Sequence, residues 1–221
     1  MFRIISIISF SVVLGGIGLH HLIFSSGYKN RFSLVSLLRK MVHLFTLLFL
    51  PQKLGPVGRL RKLAFLLGLL SFCVLLLTGF GPLSLGCRLH GYLLMIHATF
   101  APVFIACAAF IAITGAGQYA FNKGDAEQFP SPCWKLPKRA DGCWLADTGI
   151  GAKAGFWMLI VMSLPVTLTM VLSMLPIFGP EGQEFLFHAH RWCALVFGLT
   201  AIVELYILIR IGVLKDTKTL H

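Results

Sequence analysis

Residues 89–115 read LHGYLLMIHATFAPVFIACAAFIAITG, an apolar run with no Asp, Glu, Lys or Arg and with His90 and His97 in its first third. At ~1.5 Å of rise per residue it exceeds the ~20 residues that a helix needs to cross the hydrocarbon core of a bilayer. Four further stretches meet the same requirement, at about 4–24, 63–80, 154–178 and 185–211. The whole chain agrees with them. Its 221 residues are 57% hydrophobic and 12% charged, with a mean hydropathy of +0.85, whereas a soluble domain carries about 25% charged residues. The polar stretches are too short for a large soluble enzyme domain. The expected fold is all-α: one integral membrane domain over 1–221, a bundle of five transmembrane helices with one interfacial amphipathic helix.

That extra helix is expected at about 32–50, where an apolar run carries Arg39 and Lys40 at its centre. Each charge would cost about 2.5–3.5 kcal/mol in mid-bilayer, so the segment is read as lying on the interface and not as a sixth span. Pro51, Gly55, Pro56 and Gly58 break the chain after it. The first span is expected to be retained and not removed as a signal peptide, because its apolar run is long and its basic residues follow it.

Nineteen Lys and Arg against eight Asp and Glu give a net charge of +11. With five spans, all of these basic residues except Arg3, Arg88 and Arg191 fall on one side. The positive-inside rule makes that side cytoplasmic, with the N-terminus outside and the C-terminus inside. The surplus therefore reports membrane orientation and does not imply nucleic-acid binding. The longest polar loop, 118–153, lies on the cytoplasmic side and holds Cys133-Trp134 and Cys143-Trp144. It reads either as a docking surface for a partner subunit or as an aromatic-belt anchor. No CxxC pattern accompanies these cysteines, and a reducing compartment disfavours a disulfide between them.

The eight histidines are the more specific signal, since ionisable side chains inside a membrane point to function. His90 and His97 lie two turns apart, on one face of an ideal helix and ~10.5 Å from each other. His188 and His190 are ~200° apart, so only one of them can face a given cavity. Counted from the outer helix ends, His97 and His190 differ in depth by only ~4 Å. Two neutral imidazoles from separate helices are the ligand set of a low-spin haem iron, so His97 with His190 is the expected axial pair and His90 with His188 the competing one. Arg88 and Arg191 are placed to pair with haem propionates. On the cytoplasmic side, His43 with His20 or His21 is a candidate pair for a second haem, against the alternative that His43 belongs to a headgroup-facing polar stripe. Glu204, fourteen residues after His190 and ~21 Å further toward the cytoplasm, reads either as a buried carboxyl exchanging protons with a quinone or as an acid snorkelling toward Arg210.

The chain resembles the membrane cytochrome b subunits of formate dehydrogenases, hydrogenases and related respiratory reductases. The resemblance is carried by Leu77-Thr78-Gly79-Phe80, by His90-Gly-Tyr92 through His97-Ala-Thr-Phe-Ala-Pro102, and by His190-Arg-Trp-Cys-Ala-Leu195, and it covers roughly 62–210. It implies a haem b-binding subunit in the cytoplasmic membrane of a prokaryote, relaying electrons between the quinone pool and an iron–sulfur, flavin or multihaem redox subunit. The span ending in Thr78-Gly79 departs from that pattern by lacking a histidine. A haem-free membrane anchor that docks a partner through 130–147 is the alternative from another class.

Overall fold

A computed structural model describes residues 1–24, 55–123, 125 and 149–218. Its described elements are five helices: α1 Phe2–Phe24, α2 Pro56–Leu85, α3 Gly91–Gly115, α4 Gly149–Met174 and α5 Pro180–Lys218. Each contains a stretch long and apolar enough to cross a membrane, and no strand occurs among the described residues. The helices are apolar on all sides. Large side chains such as Ile8, Leu77, Ile113, Val161 and Phe185 stand exposed, as expected where lipid is the solvent and backbone polar groups must be satisfied within each helix. The multi-pass membrane architecture therefore agrees with the sequence. The interfacial helix proposed for 32–50, with His43, and the Cys133 to Trp144 part of the loop lie outside the described residues.

The chain divides into two compact units, Met1–Ile17 with Gly115–His221, and Gly18–Thr114. In the second unit α2 and α3 form an antiparallel hairpin. Pro56 opens α2 just after Gly55, using the first-turn position where a missing N–H costs nothing. Gly86 closes it at φ +81°, with its N–H donating to Leu83 O at 3.1 Å and that of Cys87 donating to Pro82 O at 2.8 Å. This paired closure needs a left-handed residue, which glycine supplies without Cβ strain. After a four-residue link, Gly91 at φ +59° starts α3. The hairpin register then repeats along its length. Arg61 donates to Thr114 O, Gly68 abuts Cys107, the Phe72 and Phe104 rings lie 6.3 Å apart, and Thr78 meets His97. Every step forward on α2 is matched by a similar step back on α3.

The first unit is built on α4 packed antiparallel to α5. His190 of α5 reaches Val166 of α4, and Glu204 of α5 reaches Gly155. At the end of the unit where α5 begins, Phe2 of α1 packs edge-on to Trp192 with centroids 4.8 Å apart. The starts of α1 and α5 thus lie at the same end, as alternation of five spans requires. At the opposite end the chain leaving α3 is tied to α4. Trp157 Nε1 donates to Tyr119 O at 3.0 Å, the Tyr119 ring stacks on Phe156 at 4.2 Å, and Lys153 Nζ donates to Asp125 at 2.6 Å. The Asn122 N–H and then the Lys153 ammonium hold the Asp125 carboxyl below the usual carboxylate range. A carboxylate with a lowered value stabilises at neutral pH and stops doing so as pH falls through that value, so this tie is intact at neutral pH and released in acid.

The helices run further than the apolar runs that predicted them. The second span begins at Pro56 and not 63, the fourth at Gly149 and not 154, and the fifth covers Pro180–Lys218 in place of 185–211. Basic residues had marked those ends as loop, yet Arg61 and Lys153 sit inside helices and find oxygen partners there. Two boundaries move the other way: α3 starts at Gly91 and leaves Leu89 and His90 in the link, and α4 ends at Met174 and not 178.

The hairpin register can be tested directly. A Cβ on Gly68 would stand 3.3 Å from the Cβ of Cys107, close to the ~3.8 Å usual across a disulfide. Mild oxidation of a Gly68→Cys variant should bury both thiols from maleimide in a bond that Cys107→Ala prevents. Two thiols that stay reactive would contradict the register.

Candidate functional site

His97 lies two turns into α3, half-buried. The hairpin brings the Thr78-Gly79 turn of α2 against it, with Thr78 Oγ1 2.8 Å from His97 Nδ1. The Thr78 hydroxyl also lies 2.7 Å from Val74 O of its own helix; when its single proton goes there, the oxygen accepts toward the imidazole and His97 Nδ1 is the donor. Gly79 makes the approach possible, because a Cβ there would stand 3.3 Å from His97 Cε1 and crowd the ring.

His190 is engaged through the same ring nitrogen. It is half-buried on α5, and its Nδ1 lies 3.0 Å from the backbone oxygen of Val166 on α4. A carbonyl can only accept, so Nδ1 again carries the proton and Nε2 the lone pair. His188, two residues earlier, points elsewhere: its side chain is 54% exposed, with Nε2 3.7 Å from Glu184 Oε1. The ~200° separation of the two residues is realised, and His190 is the one turned toward a neighbouring helix.

The remaining candidates are placed as follows. His90 and Arg88 are exposed in the link before α3. His90 does not share a helix face with His97, because the helix begins only at Gly91. Arg191 has its guanidinium over two rings, 4.8 Å from the centroid of Phe2 and 5.5 Å from that of Phe187. Such cation–π contacts contribute about 0.5–2 kcal/mol, more when desolvated. His20 and His21, half-buried near the end of α1, both have interaction partners. His43 is outside the described residues. Among the described residues no group of three or more His, Cys, Asp or Glu could hold a metal ion. Axial ligation of a haem iron needs only one imidazole from each side and no such cluster.

Glu204 is 5% exposed. It lies on the α4-facing side of α5, like His190, which fits the shared face read from their spacing. Its carboxyl rests on the bare backbone of Gly155, where a Cβ would collide with it. Oε2 has no hydrogen-bond partner among the described residues. The acid sits about five residues, or ~7.5 Å, from the Ile209 end of the span.

Thr78, Gly79, Val166 and Gly155 were not singled out as site residues by sequence reasoning. The signal for the first two was present in the hairpin itself. Reflecting α3 through its short link onto α2 sets His97 opposite residues 78–79. Val166 acts through its backbone, which no side-chain pattern reports. Comparisons of the chain with protein-family models, with curated proteins and with solved structures return no match.

The Thr78 bond predicts a measurable proton position. Thr78→Val removes the acceptor and should cost about 1–3 kcal/mol, with ¹⁵N NMR of His97 showing loss of the pure Nδ1–H form. Thr78→Ser should retain it. An unchanged tautomer in Thr78→Val would contradict the assignment.

Proposed function

We propose that the protein is a haem b-binding membrane subunit of a respiratory redox complex, of the kind it resembles in formate dehydrogenases and hydrogenases. His97 and His190 are the axial ligands in this reading, each the candidate of its own unit. The observation that carries it is that each of these imidazoles engages an oxygen of a neighbouring helix through Nδ1, His97 with Thr78 Oγ1 and His190 with Val166 O, and metal-ligating histidines characteristically anchor their second nitrogen in this way. The donor set fits a b-type haem: neutral nitrogen ligands on apolar spans rich in Phe and Leu. When bound, the haem supplies one-electron transfer between quinone and a partner redox subunit, and the chain supplies ligation, burial and proton access.

Glu204 serves in this reading as the proton-exchanging group for quinone. Support comes from its burial and its unpartnered Oε2. Its end of the span faces the cytoplasm in this reading, with the N-terminus outside, which the basic-residue count supports, and the membrane is the inner membrane of a prokaryote, as the resemblance implies. The partner is an iron–sulfur, flavin or multihaem subunit, and lipid surrounds the exposed apolar faces.

Dithionite reduction of the purified protein tests the proposal. A b-type absorption band is expected, lost in His97→Ala and in His190→Ala and kept in His90→Ala and His188→Ala. Glu204→Gln should keep the band while slowing quinol turnover by about 10²-fold or more, the usual weight of acid–base assistance. A folded wild type without haem ends the haem reading in favour of an anchor, and undiminished turnover in Glu204→Gln removes the proton role.

A further inference from the structure

Glu204 is unusual among the acids of this chain in what it lacks. Glu184 is exposed and lies near His188, and Asp125 is held by Asn122 and Lys153. The Glu204 carboxyl is as buried as Ile207, three residues on, both at 5%, and its Oε2 has no hydrogen-bond partner among the described residues. The described charged side chains of the two helices that enclose it are Lys153, engaged by Asp125, and Glu181, Glu184 and Arg191 near the far end of α5. None is paired with it. An anion so buried, with no paired counter-charge among the described residues, is costly, and the ordinary response of a carboxyl is to keep its proton.

The notch that holds it is specific. Gly155 is the one residue type that leaves room for the carboxyl at this crossing, since a Cβ would overlap Oε2 and the carboxyl carbon. We infer that Gly155 and Glu204 together form a proton-binding site in the α4–α5 interface, with Gly155 the positioning residue that seats the carboxyl as the neutral acid. This deepens the reading of Glu204 as a proton-exchanging group, and it is tested without haem, quinone or turnover.

A hydrophobic carbodiimide is the probe. It reacts with a protonated carboxyl in an apolar site: the acid proton passes to one carbodiimide nitrogen, the carboxylate oxygen bonds to the central carbon, and the adduct keeps the whole reagent with no leaving group. Treatment of the full chain with dicyclohexylcarbodiimide at neutral pH should add one reagent mass to the peptide containing Glu204, and no such adduct should form in Glu204→Gln. Gly155→Ala pushes the carboxyl from its seat, and its labelling should fall to background. Absence of the adduct in folded wild type, or wild-type labelling in Gly155→Ala, would overturn the proposal. Should Gly155→Ala not fold, infrared difference spectra of wild type against Glu204→Gln decide the matter. The carbonyl stretch of a neutral acid is expected, and carboxylate bands in its place would overturn it. A labelled Glu204 with unchanged quinol turnover in Glu204→Gln keeps the proton site and removes only its quinone role.

Discussion

An unpaired polar group in hydrocarbon costs several kcal/mol, and the rest of this molecule is arranged around that cost. Backbone groups meet it by forming helices from end to end. Side chains meet it in three ways. Hydroxyls such as those of Thr78, Thr114 and Thr200 return their protons to their own helix. Arg61 takes the Thr114 carbonyl at the mouth of the α2–α3 hairpin. The imidazoles of His97 and His190 each engage an oxygen of a neighbouring helix through Nδ1.

Much of the fold was legible in the sequence because lipid burial is a matter of local composition. Five spans follow from five apolar runs, and the contact of Phe2 with Trp192 agrees with the alternation they imply. Helix ends were less legible. Composition marks where hydrocarbon stops, whereas a helix stops where its backbone loses partners, and in α2 and α4 the charged residues beyond the apolar run still sit on helical turns. His90 shows the opposite error. Its spacing to His97 suits a helix, but Gly91 at φ +59° begins the helix one residue too late for the spacing to matter.

The candidate site was legible in its ionisable residues and not in what holds them. That only one of His188 and His190 can face a given cavity followed from an angle, the choice of His190 from its depth match with His97, and Glu204 from an acid in an apolar run. Thr78, Gly79 and Gly155 did not, since a hydroxyl or a missing Cβ acquires meaning only once a second helix is laid against it. The same applies to the rings of Phe2 and Phe187 that lie beneath the Arg191 guanidinium.

The proposal most open to test is that His97 and His190 hold a haem iron. The most direct measurement is the haem content of the purified, folded chain, read as the pyridine haemochrome against protein concentration. The account predicts one b-type haem per chain. A folded chain carrying none would contradict it.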